Sequence, residues 1–302
     1  MMPTMVQIHD LDDQQFFSKG LLAHQLTNRG FIVDSLKAYS LAVKVEERLL
    51  KDGISEISAL ELIEVVTEEL KAEFDPKIAD RYNLVSRLPL EGKSLVIVMI
   101  GSVGVGKGTL ANDLATIFRI SRVIGTDVIH RLMRDLLSPK LVPELQTSPF
   151  EAYKGLRPIY SSIYDPLLIG FDEVSKIVDA GLRSVIYRSE REKISTIIRG
   201  ELFSLKEIGP WLLDQPEVFP FMITLSDEDL HKERLNQEEQ LDNQEITSES
   251  FDAIRKIQSY LLEGSEEMGI QIIDNLSSDE TIETILDVIV SKMKPQLEEE
   301  EL

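Results

Sequence analysis

The sequence predicts an α/β fold: a three-layer α/β/α sandwich with a mostly parallel five-stranded sheet, plus a small all-helical amino-terminal domain. Two patterns lead to this prediction. From residue 94 onward, apolar runs of strand length alternate with longer helical patterns, which is typical of a parallel sheet covered on both faces. Residues 16 to 72 instead carry their apolar side chains at helical spacing, which predicts three or four short helices.

The elements follow in order along the chain. Residues 1–75 form the predicted helical module, in which Gly30 and Gly53 mark helix ends. Residues 76–93 contain Pro76, Pro89 and Gly92, and are expected to be a linker holding one short helix.

Residues 94–296 form the predicted α/β domain, and residues 297–302 an acidic tail. The predicted strands are Leu95–Ile100, Val123–Gly125, Thr196–Ile198, Phe219–Leu225 and Ile270–Ile273. The predicted helices cover residues 107–118, 128–137, 168–192, 228–241, 249–267 and 279–293.

Composition excludes several classes of function. The 302 residues include 53 acidic and 32 basic side chains, for a net charge of −21, which argues against nucleic acid and anionic membranes as partners. Cysteine is absent, which excludes disulfides, thiolate zinc sites and a cysteine nucleophile. The longest apolar run, Leu95–Ile100, is too short to span a bilayer, and no secretory signal opens the chain. We therefore expect a cytoplasmic protein.

A glycine-rich loop joins the first of these strands to the following helix. Such a loop turns tightly around an anion and aims its N–H groups inward, while the helix dipole and a lysine add positive charge for the β- and γ-phosphates. The alternative is a strand–helix turn without a ligand. The predicted nucleotide-binding residues are Gly101, Ser102, Val103, Gly104, Val105, Gly106, Lys107, Gly108 and Thr109.

Gly108 stands where such loops usually place a Ser or Thr hydroxyl on Mg²⁺. The sequence Gly-Lys-Gly-Thr resembles that of adenylate kinases, so the loop favours a P-loop NTPase fold of the nucleoside-monophosphate-kinase type and a small-molecule kinase. Thr109 is the nearby hydroxyl that can serve the metal.

Several segments resemble the archaeal 2-phosphoglycerate kinase family. The resemblance covers nearly the whole chain, and Phe17–Ala23 with the following helices is similar to the ATP-cone module that precedes this kinase domain. It implies ATP- and Mg²⁺-dependent phosphorylation of 2-phosphoglycerate, a small phosphorylated acid, to 2,3-diphosphoglycerate in cyclic 2,3-diphosphoglycerate biosynthesis. The segments that carry it are Val123–Asp127, Leu137–Pro143, Thr147–Ala152, Ile197–Gly200, Ile254–Tyr260 and Ile273–Asn275.

Catalytic and metal-binding roles carry over to a few residues. Lys107 and Asp127 match the family pattern, with Asp127 orienting the acceptor or holding Mg²⁺ water together with Thr109. A helix N-cap is the alternative role for Asp127. Arg199 stands where an acidic residue is expected, and it suits an anionic acceptor instead. Glu201 is a substitute acid, although strand alternation would place it differently.

The acceptor requires cations between the second and third strands. Arg134, Arg157 and Arg183 are the predicted substrate-binding residues, with Lys140 and Lys154 as further candidates. His9, His24 and His231 lack metal-ligand spacing. Residues 226–250, at the position of the lid in such kinases, are mostly acidic. This segment either closes over the nucleotide with an unfavourable negative charge, or forms a solvated helix and loop away from the site.

Three functional hypotheses remain. The first is the active 2-phosphoglycerate kinase, and the second is a kinase for another small molecule or nucleotide. The third is a catalytically impaired, nucleotide-sensing regulatory protein, which Gly108, Arg199 and the acidic lid would suit. The amino-terminal module either binds nucleotide or serves helical packing and homodimer formation.

Overall fold

The computed structural model describes residues 5–9, 14–155, 165–242 and 247–298, and it divides into two compact units. The amino-terminal unit comprises residues 1–93, 116–119 and 286–302, and the sheet unit comprises residues 94–115 and 120–285. None of the helices in these described ranges contains an apolar stretch sufficient for a membrane span.

The prediction that the amino-terminal domain is all-helical is wrong. This unit also contains a three-stranded sheet of order β2-β1-β3. Its strands are only three residues each, too short to produce an alternating pattern. The unit contains β1 (Gln7–His9), β2 (Gln14–Phe16), α1 (Lys19–Asn28), α2 (Ser35–Lys51), β3 (Glu56–Ser58), α3 (Ala59–Glu73) and α4 (Pro76–Arg87).

The helices of this unit begin at side-chain caps. The Asp34 carboxylate caps α2, Ser58 and Glu61 form a capping box on α3, and Asp75 with Pro76 opens α4. Helix α4 is the short helix expected within residues 76–93, and it groups with the amino-terminal unit.

The sheet unit is built on five parallel strands in the order β5-β6-β4-β7-β8. The predicted five-stranded parallel sheet is confirmed. The strands are β4 (Val96–Ile100), β5 (Arg122–Gly125), β6 (Thr196–Gly200), β7 (Val218–Thr224) and β8 (Gln271–Asp274). Strands β4 and β7 are buried along their whole length, as expected for strands covered on both faces.

Helices alternate with these strands. They are α5 (Lys107–Phe118), α6 (Thr126–Leu136), α7 (Pro166–Glu192), α8 (Leu205–Asp214), α9 (Glu228–Asp242), α10 (Ser248–Met268) and α11 (Ser278–Glu298), with short 3₁₀ helices at Pro143–Gln146 and Pro149–Gly155. Helix α8 was not predicted, because Gly209 and Pro210 interrupt its pattern. Helix α11 continues to Glu298, so the acidic tail does not begin at residue 297.

Parallel strands end at the same edge of their sheet, which gathers the residues that follow β4, β5 and β6. In register, Ile100 lies opposite Gly200, and Gly125 lies opposite Arg199. The glycine-rich loop after β4, the start of α6 after β5 and Glu201 after β6 therefore meet at one edge.

Candidate active site

The glycine-rich loop, residues 101–109, has the backbone geometry of a phosphate cradle. Gly104 and Gly106 adopt positive φ angles of 81° and 90°, which L side chains rarely adopt. At Gly106 a Cβ would also lie 2.6 Å from the Asn275 Nδ2. Both positions therefore require glycine.

Side chains behind the loop hold its carbonyl groups. Asn275 Nδ2 donates to the Val105 oxygen at 2.8 Å, and its own Oδ1 accepts from Thr281 Oγ1 at 3.0 Å. His231 Nε2 lies 2.8 Å from the Val103 oxygen. With the Val103 and Val105 carbonyl oxygens engaged by these side chains, the amide N–H groups of the loop are left for an anion.

Helix α9 packs directly on this loop. A Cβ on Gly104 would lie 2.5 Å from Leu235, and Arg234 Nη1 donates to the Val105 oxygen at 3.4 Å. The hypothesis of a solvated helix away from the site is therefore wrong for α9. Arg234 supplies a cation at the loop that the acidic composition of residues 226–250 concealed.

His231 is held as a neutral donor. Arg255 Nη1 lies 3.4 Å from its Nδ1, so Nδ1 accepts and Nε2 carries the proton that is donated to Val103. Burial lowers the pKa of His231, and the cations of Arg255, Lys107 and Arg234 lower it further. The link between α9 and the loop is therefore maintained at neutral pH.

Lys107 opens helix α5 and is buried, with an exposed fraction of 6%. Its Nζ donates to the Ser102 oxygen at 2.6 Å, across the mouth of the loop. When a phosphate binds, one of its oxygens would replace the Ser102 carbonyl oxygen as the acceptor for the Lys107 ammonium group.

Asp127 lies in the first turn of α6 and is not its N-cap. The N-cap is Gly125, which offers no side chain. A Cβ on Gly125 would lie 2.0 Å from Asp127 Oδ1, so the glycine makes room for the carboxylate. The capping alternative is therefore wrong, and this carboxylate is available for other chemistry.

Glu201 joins this site, contrary to the expectation from strand alternation. Strand β6 ends at Gly200, so alternation no longer governs the next residue. Burial raises the pKa of Glu201, the nearby cations Lys107 and Arg199 lower it, and the Asp127 carboxylate raises it. Lys107, Asp127 and Glu201 therefore form one electrostatic cluster, and Glu201 is the acid that sequence reasoning misplaced.

The predicted cations differ in their surroundings. The Arg199 side chain makes no hydrogen bond or ion pair within the described ranges, and its charge lowers the pKa of the nearby Glu201. Arg134 lies 3.9 Å from Asp135, longer than a hydrogen bond. Arg183 is engaged elsewhere: it donates to the Glu207 oxygen at 3.0 Å and stacks 4.6 Å from Trp211. Arg157 lies outside the described residues.

The carboxylates of the site fit Mg²⁺ that is bound together with a nucleotide, but not a metal ion held by protein side chains alone. Within the described part of the chain, no group of three or more His, Cys, Asp or Glu side chains is placed to hold a metal ion. Mg²⁺ retains several waters and binds through one or two carboxylates plus phosphate oxygens, which Asp127 and Glu201 suit. Thr109 lies exposed in the first turn of α5, and a Cβ on Gly108 would meet open space.

Two aspartates of α7 anchor the segment that follows Glu201. Asp179 Oδ2 accepts from the Ser204 amide at 3.2 Å, and Asp172 Oδ1 accepts from the Ser204 hydroxyl at 2.7 Å and from Tyr260 at 2.8 Å. Burial raises the pKa of Asp179 to about 8. Burial also opposes ionisation of Asp172, yet hydrogen bonds from Ser204, Lys176 and Tyr260 hold its pKa below the ordinary value.

We expect Asp179→Asn to stabilise the fold at neutral and alkaline pH. The folded pKa of Asp179 lies above its unfolded value near 4, so wild-type stability is lost as pH rises from about 4 to about 8. Asparagine removes this loss, by up to about 1.4 kcal/mol per pH unit. Melting temperatures measured from pH 4 to 8 should diverge in favour of the variant.

Asp172→Asn is the matched control, and it should destabilise the fold, because the pKa of Asp172 shifts in the opposite direction. A stability difference for Asp179→Asn that does not grow with pH would contradict the assignment of a protonated carboxyl.

Comparisons place the chain among known proteins. It is 36% identical over 281 residues to 2-phosphoglycerate kinase of Methanopyrus kandleri, covering 92% of this chain and 84% of that protein. The corresponding protein of Methanothermobacter thermautotrophicus is 33% identical over 274 residues, covering 89% of each chain. That of Pyrococcus furiosus is 30% identical over 279 residues, covering 91% of this chain and 90% of that protein.

Comparisons with family models and with solved structures give no further information on function. No family model matches the chain. Shikimate kinase from Acinetobacter baumannii, solved with shikimate, is similar with a TM-score of 0.43 and 16% identity, covering 68% of this chain and 97% of that one.

Proposed function

The chain belongs to the 2-phosphoglycerate kinase family, and we infer that it phosphorylates 2-phosphoglycerate. It is a phosphotransferase. The observation that carries this conclusion is identity of 30–36% over about nine-tenths of the chain, together with a glycine-rich loop, Lys107 and two carboxylates at one edge of a parallel sheet.

The acceptor atom is the C3 hydroxyl oxygen. Transfer to the carboxylate of 2-phosphoglycerate would give an acyl phosphate, whereas transfer to its one free hydroxyl gives 2,3-diphosphoglycerate. In this step the bond from phosphorus to the leaving nucleotide breaks, a bond from O3 to phosphorus forms, and the hydroxyl proton leaves to a carboxylate.

The donor is ATP, with Mg²⁺ as its counterion. When bound, Mg²⁺ neutralises charge on the β- and γ-phosphate oxygens. The loop amides and Lys107 bind these phosphates, and Arg234 on α9 adds a cation beside them. Asp127 orients the acceptor hydroxyl, and with Mg²⁺ bound, Glu201, Asp127 and Thr109 would hold the water molecules of the metal.

A turnover assay tests this function. ADP release is measured with ATP, Mg²⁺ and either 2-phosphoglycerate, 3-phosphoglycerate or glycerate as acceptor. We expect ADP release that depends on 2-phosphoglycerate. ATP binding without ADP release for any acceptor would favour the nucleotide-sensing protein, and preference for another acceptor would favour a different small-molecule kinase.

Arg199 binds the anionic acceptor in this proposal. A charge-assisted hydrogen bond contributes roughly 1.5–3 kcal/mol, so Arg199→Ala should raise the KM for 2-phosphoglycerate about 10- to 150-fold. The KM for ATP should change little. If Arg199→Glu instead increases phosphoryl transfer, the natural site is degenerate and the kinase proposal is wrong.

The two predicted domains divide these roles. We assign phosphoryl transfer to residues 94–296, and to the ATP-cone-like residues 1–75 either a second nucleotide site or a packing role. The small phosphorylated acid is the expected partner.

A further inference from the structure

Helix α6 carries a polar face that continues from Asp127 away from the phosphate loop. Asp127, His130 and Arg134 are spaced three and four residues apart, which places them on one side of the helix. The electrostatic environment of the His130 ring includes both Asp127 and Arg134. The three side chains therefore form a continuous row, which we call the α6 polar face.

Two buried polar atoms beside this row have no hydrogen-bond partner. His130 has an exposed fraction of 7% and Thr126 of 1%, and neither His130 Nε2 nor Thr126 Oγ1 is paired with any described residue. Native proteins rarely leave buried polar atoms unpaired without a functional reason. A hydrogen-bonding ligand would supply a partner for His130 Nε2.

Beyond Asp127, the α6 polar face carries no negative charge and suits an anion. Burial and the neighbouring Arg134 cation lower the pKa of His130, so the ring is neutral and carries one N–H. The N-cap of α6, Gly125, provides no side-chain bond to the first-turn amides. Arg134 forms a loose ion pair with Asp135, with 3.9 Å between Nε and Oδ1, which is beyond hydrogen-bond distance and leaves the guanidinium N–H groups able to donate to an anion.

The α6 polar face begins at the reaction centre and extends away from it along the helix. A Cβ on Gly200 would lie 1.8 Å from Thr126 Oγ1, so the start of α6 abuts the end of β6, directly before Glu201. A helix rises about 1.5 Å per residue, which separates Asp127 from His130 by about 4.5 Å and from Arg134 by about 10 Å along the axis. The side chains of His130 and Arg134 are longer than that of Asp127 and lean toward the helix N-terminus, so they extend back along the face in the direction of Asp127.

We propose that His130, in the tautomer protonated on Nε2, and the Arg134 guanidinium bind the phosphate group that the acceptor already carries, while its hydroxyl lies at Asp127. This proposal rests on the proposed function and deepens it, because it assigns the orientation of the acceptor. The α6 polar face then selects a phosphorylated three-carbon acid over the unphosphorylated one.

The test compares acceptor kinetics in four variants of the full chain. His130→Phe and Arg134→Gln should each raise the KM for 2-phosphoglycerate about 10- to 100-fold, with the KM for ATP unchanged. His130→Gln retains an N–H donor and should restore most of the affinity. Arg131→Gln removes the adjacent exposed cation outside the row and should have no effect.

Glycerate, used as a competitive inhibitor, isolates the phosphate contact. Its inhibition constant should not change in His130→Phe, because glycerate lacks the phosphate. An equal loss for both ligands would overturn the assignment to the phosphate group, and an unchanged KM in His130→Phe and Arg134→Gln would overturn the site. If the wild-type protein does not phosphorylate 2-phosphoglycerate at all, the proposed function itself fails, which the same assay shows separately.

Discussion

Glu201→Gln should lower phosphoryl transfer by about 100-fold or more while it raises the thermal stability of the ligand-free protein. The carboxylate lies with Lys107 and Asp127, where it holds metal water or accepts a proton during transfer. Burial raises its pKa, so ionisation is costly in the fold, and the neutral amide removes that cost. Turnover and melting temperature are measured on the same preparation.

The opposite signs of these effects separate catalysis from folding. A residue that only supports the fold would lose activity and stability together. Glu207→Gln, on the exposed first turn of α8, is the matched control and should change neither quantity. Full turnover in Glu201→Gln would contradict its role and leave Asp127 as the acid of the site.

Lys107→Ala should abolish the increase in melting temperature that ATP causes, and should reduce turnover by about 100- to 1,000-fold. The buried lysine is a cation at the mouth of the loop, where it donates to the Ser102 oxygen. Lys206→Ala, on helix α8, is the matched control and should retain both the shift and the turnover. The shift is measured with ATP and Mg²⁺ at saturating concentration.

The ATP-dependent shift of Lys107→Ala also shows whether the amino-terminal residues bind nucleotide. An ATP-dependent shift that persists in Lys107→Ala would place nucleotide binding in residues 1–75, as the ATP-cone resemblance allows. Loss of the shift would leave that unit without a detectable nucleotide site and favour a packing role.

The sheet unit followed from the sequence because its signals are local and strong. Strand Val96–Ile100 is a continuous apolar run, and the glycines with Lys107 fix the loop and the start of helix α5. Helix α8 escaped prediction because Gly209 and Pro210 disfavour a helix, whereas burial of Leu205, Ile208 and Leu212 stabilises it. Tertiary packing here outweighs local propensity.

The site followed from the sequence only in part. The position of Lys107 in the site is determined by the neighbouring residues of the glycine-rich loop, so it was predictable from the sequence. Glu201 depends on where strand β6 ends, and a difference of a single residue at that boundary changes the direction of its side chain. Arg234 and His231 reach the loop from more than 120 positions away in the chain, as the separations of their hydrogen bonds show. No local pattern marks such contacts.

The most direct test of the proposed activity is phosphorus NMR of the product formed from 2-phosphoglycerate, ATP and Mg²⁺. The proposed function predicts ADP and a new phosphate ester on C3 in equal amounts, with the original ester on C2 retained. Release of ADP with inorganic phosphate, or ATP that is bound but not consumed, would contradict the assignment of this chain as a 2-phosphoglycerate kinase.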